Sequence, residues 1–307
     1  MIHTLTPNPA LDITYQVPDF VFDDTVRAST VLRAPGGKGI NVSRVAARLG
    51  HATVAMGFAG GRAGDELEEL LEAERVRTWF THVHGATRTN AIVQDARGRQ
   101  LRVSAPGEEV EAHHIATLLA SLFDLRAPEV LALSGSLLPE MPPGFLHDVI
   151  DRASSDGVRV AVDADGDELA RSVEAGVYLV KPNRYELERL TGETVATVDD
   201  AVAAARRVAE RGVTVVLASL GALGAVMVEG GIALHAQAPR VPVDSAVGAG
   251  DALLAGALVA LVEGRGREEA LRLGVACGTA TAMTPGTALC NVEDVETLLP
   301  HVKVRQV

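Results

Sequence analysis

The second half of the chain alternates short apolar strands with helices, and this alternation restricts the fold more than any other feature of the sequence. Apolar runs at 130–133, 158–162, 177–180 and 213–218 are each followed by polar or glycine residues and then by a helical pattern. Such alternation is typical of a mainly parallel sheet that is covered by helices on both faces. We therefore predict a three-layer α/β/α fold, whose first strand lies at 2–6.

The loops that follow the strands of a parallel sheet all lie at one edge, because the carboxyl ends of the strands point the same way. Open α/β sheets bind their ligands at that edge. Polar residues that follow the predicted strands are therefore expected to meet in one cleft. They are Asp12, Ser136, Asn183, Ser219 and the turn from Gly248 to Asp251.

The turn Gly248-Ala249-Gly250-Asp251 precedes a small, apolar run that is typical of a buried helix. A glycine turn at a helix start exposes unpaired N–H groups at the positive end of the helix dipole, and phosphate is the usual anion bound there. Asp251 has two interpretations at this position. It either caps the helix or faces the cleft as a reactive carboxylate, and the turn alone does not decide between them.

A second glycine turn, Gly36-Gly37-Lys38-Gly39, precedes a helix that we predict at 41–49. Its spacing differs from that of a nucleotide P-loop, and no Ser or Thr follows the lysine to hold magnesium. Two interpretations remain for this turn. It is either a turn with a solvated lysine or an anion site in which Lys38 supplies the positive charge.

Two stretches, 13–34 and 81–105, differ from the rest because they are extended or alternate polar with apolar residues. We predict that they form a small separate sheet attached to one main domain that spans 1–307. This sheet carries Arg27 and Arg88. Guanidinium groups bind phosphate or carboxylate through paired hydrogen bonds, so both arginines are candidates for an anionic ligand.

The 307 residues carry a formal net charge of −12, and acidic and basic residues are interspersed along the chain. This charge argues against nucleic acid and anionic membranes as partners. The N-terminus has no secretory signal, and no stretch reaches the roughly 20 apolar residues that cross a bilayer. We therefore expect a cytoplasmic protein.

Neither the histidines nor the cysteines are predicted to hold a metal. His82 and His84 share a strand face, but no acid or cysteine lies near them in the sequence, so we interpret both as surface residues. Cys277 and Cys290 are too few for a disulfide framework and lack metal-ligand spacing. We expect two reduced thiols in or near the core.

A cleft that combines a glycine-turn anion site with an acid and several cations suits phosphoryl transfer between two phosphate-bearing ligands. The cations are Arg27, Lys38 and Arg88. A dinucleotide-binding dehydrogenase is the alternative enzyme class, but no G-x-G-x-x-G follows the first strand.

Six segments, in order along the chain, are similar to those of one protein family. They are Asn8-Pro9-Ala10-Leu11-Asp12, Gly36-Gly37-Lys38-Gly39-Ile40-Asn41, Ser134-Gly135-Ser136-Leu137, Lys181-Pro182-Asn183 with Glu186, Ser219-Leu220-Gly221, and Gly248-Ala249-Gly250-Asp251. The combination resembles the phosphofructokinase B branch of the ribokinase superfamily. This resemblance implies an ATP- and Mg²⁺-dependent carbohydrate kinase with a ribokinase-like fold, whose small sheet is a lid over the sugar.

The resemblance also implies a role for each candidate residue. Asp251 is expected to be the general base for a sugar hydroxyl. The N–H groups of Ala249, Gly250 and Asp251, in the turn that begins at Gly248, are expected to form the anion hole for the moving phosphoryl. The residues expected at the sugar are Asp12, Gly36, Gly37 and Asn41, and those expected at the phosphate that it carries are Arg27, Lys38, Arg88 and Ser136. The residues expected at the nucleotide are Lys181, Asn183, Ser219, Gly221 and Gly224, with Glu186 at Mg²⁺.

Within this branch, Lys38 and the Asn8–Asp12 segment most resemble the kinases that convert fructose 1-phosphate to fructose 1,6-bisphosphate. Kinases of tagatose 6-phosphate and the minor 6-phosphofructokinases remain alternatives. A non-catalytic sugar-phosphate sensor on the same fold is a third one. The resemblance further implies a homodimer that forms through the lid.

Overall fold

A computed structural model describes residues 1–124, 127–142 and 144–307, and its strands form two separate sheets. The strands are β1 (Ile2–Thr6), β2 (Ala10–Val17), β3 (Thr30–Gly36), β4 (Thr53–Ala59), β5 (Arg77–His82), β6 (Arg88–Asp95), β7 (Gln100–Val103), β8 (Val130–Ser134), β9 (Arg159–Asp163), β10 (Leu179–Val180), β11 (Val215–Ser219), β12 (Ala225–Glu229), β13 (Ile232–Gln237) and β14 (Lys303–Gln306). The helices are α1 (Lys38–Arg48), α2 (Gly61–Ala73), α3 (Ala112–Asp124), α4 (Phe145–Ser155), α5 (Gly166–Glu174), α6 (Arg184–Thr191), α7 (Val198–Glu210), α8 (Ala249–Val262), α9 (Gly266–Ala282) and α10 (Val292–Leu298).

The central sheet has ten strands in the order β14-β13-β12-β11-β10-β9-β8-β1-β4-β5. The seven strands from β11 to β5 in this order are parallel to one another. The other three strands, β12 to β14, are antiparallel and form one edge of the sheet. The predicted three-layer fold with a mainly parallel sheet is therefore confirmed.

The two faces of the central sheet are covered by two apolar cores, because side chains of a strand point alternately to opposite faces. In β8, Leu131 and Leu133 belong to the core that includes α4 and α7, whereas Val130 and Ala132 belong to the core that includes α1, α8 and α9. Helix α8 is buried on all sides from Ala252 to Ala260. Such a helix holds its first turn in a fixed place at the edge of the sheet.

The second sheet has four strands in the order β3-β2-β6-β7, and we call it the small sheet. Its strands come from the two stretches that the alternating pattern marked, and β2 pairs with β6 in parallel while both outer pairs are antiparallel. Register places Asp12 and Asn90 on one face and Ile13 and Ala91 on the other. Residues 18–29, between β2 and β3, form a mostly exposed loop.

Helix α1 begins at Lys38, earlier than the predicted residue 41, because Gly37 serves as its N-cap with a φ of 127°. The Ile40 N–H donates to Thr6 Oγ1 at 3.0 Å, so a side chain of β1 satisfies one of the first N–H groups of the helix. The thiols of Cys277 and Cys290 are free and buried, as expected. A bilayer-spanning segment was not found among the helices of the described residues.

Candidate active site

A buried carboxylate between two lysines lies at the carboxyl end of β9. Asp163 is 1% exposed, its Oδ1 accepts a hydrogen bond from Lys38 Nζ at 3.0 Å, and its Oδ2 lies 3.1 Å from Lys181 Nζ. Burial alone raises the pKa of Asp163, but the charges of Lys181 and Lys38 hold it below its ordinary value. Sequence reasoning did not name Asp163 as a site residue, although it directly follows an apolar strand as the named residues do.

Asp251 lies in the first turn of α8, and its side chain does not cap the helix. The N-cap is Gly248, with a φ of 75°, and Asp251 Oδ2 instead accepts a hydrogen bond from Asn41 Nδ2 at 2.8 Å. Burial, and then the charge of Asp163, raises the pKa of Asp251 to about 6, although the Asn41 hydrogen bond lowers it. A carboxylate with this pKa can accept a proton near neutral pH.

The start of α8 offers backbone donors to an anion. Ala249 N reaches Ala246 O only at 3.4 Å, and in the described part of the chain no acceptor is found for the N–H of Gly250 or Asp251. A Cβ at Gly250 would lie 3.3 Å from Lys181 Nζ, so the ammonium group lies against the same turn. Free N–H groups at a helix start, next to a cation, form an anion-binding site.

The turn from Gly36 to Lys38 connects two clusters of polar residues, one around Asp163 and one around Asp12. Burial alone lowers the pKa of Lys38, but the charge and hydrogen bond of Asp163 raise it above its ordinary value, so the ammonium stays charged. At the other end of the turn, a Cβ at Gly36 would lie 2.5 Å from the carboxyl carbon of Asp12. A side chain at position 36 would push the Asp12 carboxylate away, so glycine keeps the carboxylate against the backbone of the turn.

The second cluster of polar residues lies around Asp12. Its Oδ1 accepts a hydrogen bond from Asn90 Nδ2 at 2.7 Å, and burial raises the pKa of Asp12 above its ordinary value. Arg88 is half-buried and donates to Ala105 O at 2.9 Å and to Asn8 O at 3.1 Å. Its Nε has no hydrogen-bond partner among the described residues. Two backbone carbonyls thus hold the guanidinium in place beside Asn8, while its Nε is buried.

Asn8 joins Ser136 to this group, since Asn8 Nδ2 lies 3.4 Å from Ser136 Oγ and donates to Pro106 O at 2.8 Å. Arg27 lies apart, on the exposed loop between β2 and β3. The structure therefore brings Arg88 and Ser136 together through Asn8 and does not connect Arg27 to them. Asn8 is a further residue that sequence reasoning did not assign to the site.

On the other side of Asp163, Asn183 and Glu186 form a capping box at the start of α6. Asn183 Oδ1 accepts from the Glu186 N–H at 3.0 Å, and Glu186 Oε2 accepts from the Asn183 N–H at 2.7 Å. Burial raises the pKa of Glu186 above its ordinary value. One oxygen of the Glu186 carboxylate therefore has a structural role, and the other is left for a ligand.

The loop after β11 lies at the same edge of the sheet. Ser219 pairs with Asn183 in an isolated bridge, and a short 3₁₀ turn at Gly221–Leu223 follows. Gly224 has a φ of 90°, and a Cβ there would lie 1.9 Å from Ala236 O. Glycine is therefore required at this position for β12 to pack beside β13.

Comparisons with known proteins agree with this geometry. The profile described as pfkB family carbohydrate kinase matches residues 8–294. A 1-phosphofructokinase of Haloferax volcanii is 38% identical over 314 residues, which cover 100% of this chain and 99% of that protein. A 1-phosphofructokinase of Bacillus subtilis is 33% identical over 304 residues, which cover 99% of each chain.

The fold also has a close match among solved structures. Phosphofructokinase-2 of Escherichia coli, solved in complex with substrates and products, superposes with a TM-score of 0.94 at 33% identity, over 98% of each chain. That protein has also been solved in a tetrameric inhibited form. The family match spans most of the chain and includes the Gly248–Asp251 turn. This chain therefore belongs to the pfkB family of carbohydrate kinases, and ATP is its phosphoryl donor.

Proposed function

We propose that this kinase transfers the γ-phosphoryl group of ATP to fructose 1-phosphate and forms fructose 1,6-bisphosphate. The observation that carries the chemistry is the Asp251 carboxylate, which lies at the start of α8, is not used as a cap, and has a pKa raised to about 6. The choice of sugar is supported by two relatives named 1-phosphofructokinase that match over nearly the whole chain. Tagatose 6-phosphate and fructose 6-phosphate are the alternative acceptors.

In the proposed reaction, Asp251 accepts the proton of the C6 hydroxyl of the sugar. The hydroxyl oxygen forms a bond to the γ-phosphorus as the bond from that phosphorus to the β–γ bridging oxygen breaks, and ADP leaves. General-base catalysis of this kind contributes about 10²- to 10⁴-fold to the rate. Positioning and charge stabilisation supply most of the remainder, because phosphoryl transfer needs little covalent chemistry from the protein.

We propose that Lys38 acts on the transferred phosphoryl rather than on the phosphate that the sugar already carries. Its ammonium is bound to Asp163, and its charge interacts with Asp251 and Glu186. Lys181, on the other side of Asp163, lies against Gly250. Two cations and the free N–H groups of α8 thus surround the place where negative charge moves.

The phosphate of the sugar is proposed to bind at the group around Asn8. The guanidinium of Arg88 is held there by Asn8 O and Ala105 O, and the hydroxyl of exposed Ser136 is close to the same asparagine. Asp12 is proposed to accept hydrogen bonds from sugar hydroxyls, beside the backbone of Gly36 and Gly37. Arg27 remains a proposed phosphate contact on its exposed loop.

Mg²⁺ fits one carboxylate of the site. Mg²⁺ is usually held by one or two carboxylates together with substrate phosphates and waters. Asp163 is occupied by Lys38 and Lys181, whereas Glu186 keeps one oxygen that the capping box does not use. We propose that Glu186 holds Mg²⁺, which neutralises charge on the phosphates of ATP. Asn183, Ser219, Gly221 and Gly224 are proposed to lie beside the nucleotide, since their loops share this edge of the sheet.

The small sheet is proposed to be a lid of one kinase domain that spans 1–307, and to be the contact of a homodimer. Its face opposite to Asp12 carries Val31, Leu101 and Val103, and the last two are 52% and 60% exposed. Exposed apolar patches of this kind mark protein interfaces. A second copy of the chain is the proposed occupant, because an E. coli relative assembles into a tetramer.

The substrate is tested by measuring ATP turnover against fructose, fructose 1-phosphate, fructose 6-phosphate and tagatose 6-phosphate. We expect the highest kcat/KM with fructose 1-phosphate. The same preparation of the Asp251→Asn variant serves as a blank for contaminating kinases. A higher kcat/KM with either 6-phosphate would replace the proposed substrate, and no turnover with any sugar phosphate would refute the proposed activity.

The homodimer is tested by light scattering of the wild type and the Leu101→Glu variant. We expect a dimer for the wild type and a monomer for the variant, since a charge in an apolar interface has no partner. Gln100→Glu, on the same strand, is the control and is expected to stay dimeric. A monomeric wild type, or a variant that stays dimeric, would refute the interface.

A further inference from the structure

Two histidines and one glutamate come together where the small sheet joins the body of the protein, and a third histidine lies beside one of them. Glu111, His113 and His114 lie at the start of α3, and one ligand atom of each lies within 4.8 Å of the others. His84, in the connection from β5 to β6, has its ring centroid 6.0 Å from that of His114, with an angle of 76° between the rings. We call these four residues the histidine cluster. Strands β6 and β7 separate its two parts in the chain.

The donor atoms of the histidine cluster suit one class of metal ion. Imidazole nitrogens with a carboxylate bind Zn²⁺ and its neighbours, whereas Mg²⁺ and Ca²⁺ prefer oxygen ligands. With a Zn–N distance of about 2.0 Å, two imidazoles on one tetrahedral ion have ring centroids about 5 Å apart. The rings of His84 and His114 are 6.0 Å apart, so the exposed His84 side chain has to move about 1 Å closer to share an ion. The rings of His113 and His114 are 3.8 Å apart and need only side-chain rotation to share an ion.

A second observation points to a ligand. His114 is 7% exposed, and neither a side chain nor a backbone group of the described residues hydrogen-bonds to its Nδ1. An unpaired polar atom in such a place costs about 1 to 3 kcal/mol, and a bound ion would satisfy it. His84, Glu111 and His113 are exposed, so an ion can reach the cluster from solvent.

The position of the histidine cluster connects it to the small sheet. The connections at 83–87 and 104–111 both link this sheet to the body, and a small cleft of about 20 Å³ lies between them. Arg88 follows the first connection and donates to Ala105 O in the second. An ion that bridges His84 to the start of α3 would tie the two connections together.

We propose that His84, Glu111, His113 and His114 bind one Zn²⁺-class cation, and that the bound ion restrains the two connections of the small sheet. This site differs from the proposed Mg²⁺ position at Glu186 in its donors and in its place in the fold. Binding of the ion is independent of the kinase reaction, since it needs neither ATP nor sugar.

Metal binding is measured by titrating Zn²⁺ calorimetrically into untagged protein. We expect one ion per chain for the wild type and at least a tenfold weaker affinity for the His84→Ala/His113→Ala double variant. His82→Ala is the matched control, because His82 is an exposed histidine near His84 that lies beside Glu68. Equal Zn²⁺ affinity of the wild type and the double variant would overturn the site, as would a loss of affinity in the control.

The ligand set is tested on the wild type alone by the visible absorption of its Co²⁺ form. We expect the intense bands of a tetrahedral nitrogen–oxygen site, and the weak spectrum of hydrated Co²⁺ would contradict the proposal.

The proposed restraint on the two connections is tested by hydrogen–deuterium exchange of residues 104–110. Zn²⁺ is expected to slow this exchange several-fold in the wild type and not in the double variant. Unchanged exchange at saturating Zn²⁺ would overturn the restraint.

Discussion

The two glycine turns of the site both begin a helix at a glycine N-cap, and they carry opposite charges. Each turn begins a helix, each N-cap is a glycine with positive φ (Gly37 at 127° and Gly248 at 75°), and neither helix has a side-chain cap. The first turn ends in Lys38 and the second in Asp251. The helices pack together, and Asn41 of α1 donates to Asp251 of α8.

Asp163 explains how the two turns differ in chemistry. Its negative charge raises the pKa of both neighbours, which keeps Lys38 a cation and makes the Asp251 carboxylate more basic. One buried anion therefore prepares a charge on the first turn and a proton acceptor on the second. The comparison teaches that similar turns acquire different roles from the side chain that follows the glycines and from a shared neighbour.

The largest effect is expected when the acid of the second turn is neutralised. Asp251→Asn should lower kcat about 10³-fold, because the amide cannot accept the proton of the sugar hydroxyl. The fall in kcat is measured by steady-state kinetics with ATP and fructose 1-phosphate. Asp199→Asn, an exposed acid in the first turn of α7, is the control and should keep full turnover. A kcat within tenfold of wild type would show that Asp251 is not the base.

Removal of the Lys38 ammonium from the first turn should also lower kcat, but by a smaller factor. Lys38→Ala is expected to lower kcat about 10²-fold and to change the KM for the sugar little, because its charge is proposed to stabilise the moving phosphoryl. Arg88→Ala should instead raise that KM about tenfold or more, with a smaller change in kcat. A rise in KM for Lys38→Ala, with kcat preserved, would place Lys38 at the sugar phosphate instead.

Asp251 should also lower the stability of the protein at neutral pH. Its pKa is about 6 in the folded protein and near 3.8 when unfolded, so the folded state binds the proton more tightly. Stability therefore falls as pH rises from about 4 to about 6, and the loss at pH 7 is about 3 kcal/mol. Asp251→Asn should raise the free energy of unfolding by up to this amount at pH 7 and should leave it nearly unchanged at pH 4, as measured by urea unfolding. An equal gain at both pH values would contradict the raised pKa.

The sequence was sufficient for the parallel part of the sheet and for the edge at which the site lies. Strand–helix alternation predicted the edge at which the strands end, and Asn183 follows β10 there while Ser219 is the last residue of β11. The expectation for Asp12 was wrong, because Asp12 does not follow β1 directly and lies inside β2 of the small sheet. The sequence pattern did not predict the antiparallel edge formed by β12 to β14, because the alternation stops after β11. Local patterns predict neighbours along the chain and not the partners that tertiary packing supplies.

The role of Asp251 shows this limit at one residue. Capping and catalysis remained open in the sequence, and the structure excluded the cap through a hydrogen bond from a residue 210 positions away. Asp163 was overlooked because its significance depends on Lys38, which is 125 positions away. His84 is exposed, as interpreted from the sequence, but its neighbour His114 lies beyond two strands in the chain and local patterns did not predict that contact.

The smallest expected effect concerns the contact between the two turns. The Asn41 amide donates to the ionised form of Asp251 and so lowers its pKa. Asn41→Ala should raise this pKa above about 6, and the acidic limb of the kcat/KM profile should move to higher pH by about one unit. Loss of a sugar contact would change the height of the profile and leave its midpoint in place.

Asn90→Ala is the control for the position of this limb, since Asn90 donates to Asp12 and not to Asp251. It is expected to change the KM for the sugar while the midpoint of the acidic limb stays near pH 6. A midpoint that stays in place in Asn41→Ala, or moves to lower pH, would mean that α1 does not tune the base. The two turns would then share a site without being coupled, and burial together with the charge of Asp163 would set the basicity of Asp251.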